Sequence, residues 1–215
     1  MKPAAVLFDC DGVLVDSEPI SDRVIAANLA RHGLALPAHE IGAMFLGGTI
    51  AGLGDEARRL GATLPPAWVD EVYAEIFAAL AEGTALIPGI PALLDRLDAA
   101  RIPYAVGSNG PHAKMAITLG QHPEIHARLT GRIFSRHDVS RPKPAPDLYL
   151  HAACALGAAP ETCVVVEDSP TGARAARAAG MTCFGYTPSG DGARLVAVGA
   201  RPFRHMDDLV ALLGL

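Results

Sequence analysis

The chain has 215 residues, half of them apolar, and a formal net charge of −5. That length fits one core domain with a modest insertion. There is no block of Lys or Arg, and no apolar run approaches the ~20 residues of a membrane span, so neither a nucleic-acid nor a membrane partner is expected.

The four cysteines (Cys10, Cys154, Cys163 and Cys183) show neither Cys-x-x-Cys pairing nor zinc spacing, which suits reduced thiols in a cytoplasmic protein. An apolar run, Ala4-Ala5-Val6-Leu7-Phe8, opens the chain and ends in Asp9-Cys10-Asp11-Gly12. It reads as a buried strand running into a turn, with no preceding signal peptide. Side chains two apart share one face of a strand, so Asp9 and Asp11 are expected together at its carboxyl end. Two close carboxylates resist ionisation unless a cation or a proton lies between them. Cys10 is expected to point the other way, into the core.

From Asp16-Ser17-Glu18-Pro19 onward the period lengthens. Ser17 suits an N-cap, with Pro19 in the first turn. Helical patterns follow at 20–33, 39–46, 50–60 and 68–80, and no strand interrupts residues 19–82. Ala85-Leu86-Ile87-Pro88-Gly89 is a turn back towards the first strand, followed by a helix carrying Ile90, Leu93, Leu94 and Leu97. Strand and helix then alternate. Strands are expected at 104–107, 132–134, 163–166 and 182–185, with helices from 111, at 144–156, at 170–179 and at 206–213. Such alternation predicts an α/β fold with a doubly wound parallel sheet.

Three further polar clusters follow apolar runs as Asp9 and Asp11 do. They are Ser108-Asn109-Gly110-Pro111, Arg141-Pro142-Lys143-Pro144, and Glu167-Asp168-Ser169-Pro170. Taken singly, each has a plain structural reading: a Ser-Asn-Gly turn, a Pro-Lys-Pro surface linker, a helix N-cap. Four strand ends carrying Asp/Asp, Ser, Lys and Glu/Asp in that order resemble the haloacid dehalogenase superfamily, in its phosphatase branch with a small helical cap. The resemblance spans nearly the whole chain. It implies a core made of residues 1–16 and 87–215, with residues 17–86 as the cap.

The resemblance also implies roles. Asp9 is the nucleophile that forms an aspartyl-phosphate, and Asp11 is the general acid and base. Ser108, Asn109 and Lys143 bind the phosphate. Mg²⁺ is held by Asp9, the backbone carbonyl of Asp11, and Asp168, with Glu167 orienting metal-bound water. The implied activity is Mg²⁺-dependent hydrolysis of a small phosphorylated metabolite, a sugar or sugar-acid phosphate, by a monomer or weak homodimer. The segment from Gly107 to Met115 is similar to that of sugar-phosphate and sugar-acid-phosphate phosphatases.

Alternatives are a phosphomutase of the β-phosphoglucomutase type, a metal-free dehalogenase, and a non-catalytic module. Asp11 disfavours the dehalogenase, and the four intact motifs disfavour the module. The mutase relatives carry a cap-side histidine at the position of Ser21. The Phe45–Thr49 loop, expected to face the site, has Gly48 where relatives often carry a basic residue. Neither residues 47–49 nor 68–80 offer a Lys or Arg for a second phosphate, so little positive charge is expected beyond the transferring group. His112 is expected to be solvated rather than a substrate contact.

Overall fold

The computed structural model describes residues 2–45, 49–190 and 192–215. Its strands are β1 (Ala5–Phe8), β2 (Tyr104–Ser108), β3 (Ile133–Ser135), β4 (Cys163–Glu167), β5 (Thr182–Tyr186) and β6 (Arg201–Phe203). Its helices are α1 (Glu18–Arg31), α2 (Ala38–Phe45), α3 (Ile50–Arg59), α4 (Trp68–Glu82), α5 (Ile90–Ala99), α6 (His112–Gly120), α7 (Pro123–Leu129), α8 (Asp147–Ala155), α9 (Pro170–Ala178), α10 (Ala193–Val196) and α11 (Met206–Leu212). The strands form one parallel sheet in the order β3-β2-β1-β4-β5-β6. This is the expected doubly wound α/β fold. The sequence reading did not separate α7, α10 or β6. β6 is three residues long with Pro202 at its centre, too short for a period-two signal and suited to the sheet edge it occupies.

Alternation along the strands divides the core. Val6 and Phe8 of β1, with Val164 and Val166 of β4, join one apolar cluster with Leu93 of α5, Leu119 of α6 and Leu209 of α11. Ala5 and Leu7, with Cys163 and Val165, join a second with Tyr149 of α8 and Ala173 of α9. Each face of the sheet is thus covered by helices, as a fully buried parallel sheet requires. The chain runs outward from β1 to β2 and β3, then crosses to β4 on the other side of β1. That reversal opens a crevice at the carboxyl ends of β1 and β4, where open α/β sheets bind ligands.

Residues 18–82 build their own apolar cluster. Ile25, Leu29, Ile41, Ile50, Trp68, Val72, Ile76 and Leu80 form its centre. Trp68 Nε1 donates to Asn28 Oδ1 at 2.6 Å, which satisfies the buried indole and ties α4 to α1. The chain enters and leaves this helical segment at one place: Asp16 N donates to Ala85 O at 2.9 Å, and Ile87 N to Leu14 O at 2.9 Å.

Ser17 departs from expectation. It precedes α1, but its side chain makes no capping hydrogen bond and turns instead to Asp11. All four cysteines are free, and Cys10 is buried. No helix among the described residues is long and apolar enough to cross a membrane.

Candidate active site

A cleft of about 410 Å³ lies over the carboxyl ends of the central strands, between the sheet and helices α1–α4. Asp9, Asp11, Ser108, Asn109, Lys143 and Asp168 all line it. The strand ends converge because β1 pairs with both β2 and β4, and Asp9 N donates to Val166 O at 2.9 Å, extending that pairing by one residue.

Lys143 sits at the floor with 3% of its side chain exposed. Its Nζ is 2.7 Å from Asp9 Oδ1 and 2.6 Å from Glu167 Oε1, and it lies 4.5 Å from the centroid of the Tyr149 ring. Burial disfavours its charge, but the two carboxylates outweigh burial and hold the ammonium protonated. Asn109 fixes the backbone that carries it: Asn109 Nδ2 donates to Lys143 O at 3.1 Å, and Lys143 N donates to Asn109 Oδ1 at 3.0 Å. The Asn109 carboxamide therefore positions Lys143 and is only partly available to a ligand.

Glu167 is fully buried. Its Oε1 accepts from Lys143 and from the Tyr149 hydroxyl at 2.7 Å. Its Oε2 accepts from Ser169 N at 3.1 Å and Ser169 Oγ at 2.9 Å. Four donors saturate a carboxylate's lone pairs. Although oxygens of Asp9, Glu167 and Asp168 all lie within 4.8 Å of one another, Glu167 has no lone pair left for an ion. Gly172 of α9 makes room for it, since a Cβ there would stand 1.6 Å from Glu167 Oε1.

Asp9 and Asp168 remain as hard oxygen donors. Burial pushes the Asp9 carboxyl up to about 7 against the pull of Lys143. Burial also raises Asp168 well above its ordinary value, and Glu18, Glu167 and Asp9 add to the rise. A pair of desolvated carboxylates that resist ionisation is the donor set a divalent cation relieves. Gly12 shapes the same corner. Its φ is +72°, and a Cβ there would fall 2.1 Å from Asp168 Oδ2.

Asp11 has different neighbours from Asp9. Its Oδ1 accepts from the buried Ser17 hydroxyl and lies 2.8 Å from Lys114 Nζ. Burial pushes this carboxyl up, but Lys114 and Ser17 outweigh burial and bring it below the ordinary value. Ser108 is 2% exposed, and its Oγ accepts from Gly110 N at 2.9 Å. That leaves the hydroxyl hydrogen free to donate.

Several residues were not anticipated. Lys114, Arg136, Glu18 and Asp22 also line the cleft, and Ser17 and Tyr149 bond to its groups. Lys114 and Arg136 enter from the sheet side and bring positive charge to the cleft that the expectation of little charge beyond the transferring group did not count. That expectation considered only residues 47–49 and 68–80. A composition signal was present: the chain's lysines are Lys2, Lys114 and Lys143, and two of the three lie in this cleft. His112 pairs with Asp138 at 2.9 Å and is half exposed. Of the loop expected to face the site, residues 46–48 lie outside the described residues, whereas Thr49 caps α3 through Gly52 N at 3.1 Å and lines the cleft.

The haloacid dehalogenase-like hydrolase family model matches residues 3–180. The chain is 34% identical to the 6-phosphogluconate phosphatase of Escherichia coli K12 over 97% of its own length and 93% of that protein's. It is 35% identical to Hexitol phosphatase A of the same organism, over 91% and 88% of the two chains. A crystal structure of a hydrolase of this family from Deinococcus radiodurans R1, with bound phosphate and sodium, superposes with a TM-score of 0.82 at 37% identity, covering 99% of this chain and 96% of that one. With a match across most of its length and the acidic strand ends in one cleft, the chain belongs to the haloacid dehalogenase-like hydrolase family.

Proposed function

We propose that the protein is a Mg²⁺-dependent phosphatase that hydrolyses a small phosphorylated metabolite, a sugar or sugar-acid phosphate, through an aspartyl-phosphate on Asp9. The observation that carries this reading is the buried Lys143 bridging Asp9 and Glu167, with the desolvated Asp168 beside them. A cation fixed against a carboxylate nucleophile offsets the charge of an incoming phosphoryl group. The family relationship and the bound phosphate of the Deinococcus structure support the same reading.

In this reading Asp9 Oδ attacks phosphorus and the bond to the leaving oxygen breaks. Asp11 protonates that oxygen, then takes a proton from the water that hydrolyses the acyl phosphate. Ser108 and the Asn109 backbone N–H that follows it donate to the phosphoryl oxygens. Lys143 neutralises them from below, and Asn109 and Glu167 hold Lys143 in place. Asp9, Asp168 and the Asp11 carbonyl would hold Mg²⁺, which supplies charge stabilisation for the phosphoryl oxygens. Asp11 stands ionised between Ser17 and Lys114, the form that activates water. Loosening either partner moves it towards the protonated form that the leaving group requires.

Residues 17–86 act as a cap in this reading, excluding water and contacting the leaving group. Hydrolysis is favoured over phosphoryl transfer to a second hydroxyl because Ser21, where mutase relatives carry a histidine, is no acid or base. Its hydroxyl donates to Ser17 O at 3.0 Å. The test is a panel of phosphorylated metabolites incubated with Mg²⁺. Phosphate release should account for essentially all substrate consumed, and Asp9→Asn should release none. Isomerised sugar phosphate appearing faster than free phosphate would favour the mutase.

A further inference from the structure

The cations of the cleft differ in what already holds them. Lys143 is bound to Asp9 and Glu167, and Lys114 to Asp11. Arg136 also lines the cleft and is half-buried. Its only hydrogen-bond contact among the described residues is Nε to His137 Nε2 at 3.4 Å, and no carboxylate of those residues pairs with it. An arginine turned into a cleft without an acidic partner still has a bidentate donor face to offer.

Its backbone is well anchored. Arg136 directly follows β3, and Ser135 Oγ donates to Gly110 O at 2.7 Å, which ties this strand end to the loop bearing Ser108. Asp138 Oδ2 accepts from Ser135 N at 2.7 Å, closing a capping box over the turn. β3 lies two strands from β1, roughly 10 Å away at normal strand spacing. Arg136 lines the same cleft as Asp9, Ser108 and Lys143 without being bound to any of them, so its guanidinium is available to a substrate group other than the phosphoryl that Ser108 and Lys143 would take. Glu18 and Asp22, on α1, line the same cleft and offer acceptors for hydroxyls.

We propose that Arg136 is a specificity-determining residue that binds a carboxylate at the far end of the leaving group. The preferred substrates are then sugar-acid phosphates rather than alditol phosphates. This inference rests on the phosphatase reading above and narrows its substrate class.

Two six-carbon monophosphates that differ only at the far end provide the test. 6-Phosphogluconate ends in a carboxylate, and sorbitol 6-phosphate in a hydroxymethyl group. The expected wild-type ratio of kcat/KM, acid over alditol, is tenfold or more, corresponding to about 1.4 kcal/mol. Arg136→Gln should lower that ratio at least tenfold, mainly through the KM for the acid, and Arg136→Lys should restore part of it. A loss of fold would depress both substrates together and leave the ratio standing. An unchanged ratio in Arg136→Gln that still turns over p-nitrophenyl phosphate at the wild-type rate, or a wild-type preference for the alditol, overturns the inference. Hydrolysis of p-nitrophenyl phosphate, which has no far-end carboxylate, separates the two claims. Mg²⁺-dependent release from it without discrimination between the hexose derivatives sinks the Arg136 assignment alone. No release from any of the three sinks the phosphatase reading and this inference with it.

Discussion

The two walls of the cleft are built on different principles. On the sheet wall the charged groups at the reaction centre are bound before any substrate arrives: Lys143 to Asp9 and Glu167, Asp11 to Lys114 and Ser17. On the helical wall Glu18, Asp22 and His39 line the cleft without a hydrogen bond or ion pair to any described residue. Groups held in place beforehand stabilise developing charge without reorganising during reaction. Unpartnered groups are left to contact whatever the leaving group carries. On the proposed reading, the chemistry therefore resides in the sheet wall, and selectivity draws on groups without a hydrogen bond or ion pair to a described residue.

The comparison is broken most severely at the proposed nucleophile, Asp9. Asp9→Asn should lower phosphate release by about 10³-fold or more, since the other carboxylate against Lys143, that of Glu167, has its lone pairs taken by donors. Asp11→Asn should cost about 10²- to 10⁴-fold, the range of a lost acid–base group. Steady-state assays on purified, folded variants check both. Wild-type turnover in Asp9→Asn would remove the covalent mechanism.

Lys143→Met tests whether the sheet wall is organised by its cation. It leaves Asp9 and Glu167 buried without a counter-charge, a change that typically costs about 3–5 kcal/mol. Thermal unfolding should show the loss. Adding Glu167→Gln should recover part of the stability but none of the activity. A double variant no more stable than Lys143→Met would mean that Glu167 is neutralised by Tyr149 and Ser169 alone.

Metal dependence sharpens the same contrast. EDTA should stop phosphate release and Mg²⁺ should restore it. Mg²⁺ should also raise the Tm of the wild type, and raise it less in Asp168→Ala, because the ion relieves the desolvated carboxylates. A variant stabilised by Mg²⁺ as strongly as the wild type would exclude Asp168 as a ligand.

The smallest effect belongs to the helical wall. Burial raises the Asp22 carboxyl from 3.8 to about 6. A carboxyl whose folded value exceeds its unfolded one costs stability above the unfolded value, and the cost is complete once pH passes the folded value. Asp22→Asn should therefore be neutral near pH 4 and stabilising at pH 7.5. Since the side chain is only about half buried, the gain should be about 1 kcal/mol or less. Denaturant unfolding at the two pH values measures it. A stabilisation at pH 4 as large as at pH 7.5 would show that the effect is not electrostatic.

Much of the sheet wall was legible along the chain because its residues stand at strand ends, where an apolar run stops and a polar cluster begins. Asp9, Ser108 and Asp168 each carry that local mark, Lys143 carries a Pro-Lys-Pro setting in the longer loop after β3, and the structure brings all four to one cleft. Lys114 carries no such mark, and Arg136 carries it only faintly. One lies a turn inside α6 and the other just after a three-residue strand. Ser17 was misread because a serine before a proline-started helix has the same local sequence whether its hydroxyl caps the helix or reaches Asp11.

Hydrophobic period, turn residues and strand-end motifs therefore determined the α/β alternation, the helical segment and the family, because each depends on neighbours only a few residues apart. The tertiary structure alone decided the pairing of the charges: Glu167 saturated rather than free, Asp11 joined to Lys114 rather than to Asp9's lysine, Arg136 without an acid among the described residues. Those choices depend on which strands lie side by side and on distances of a few ångströms. Coulomb and hydrogen-bond energies fall off within that range, and sequence separation carries no record of it.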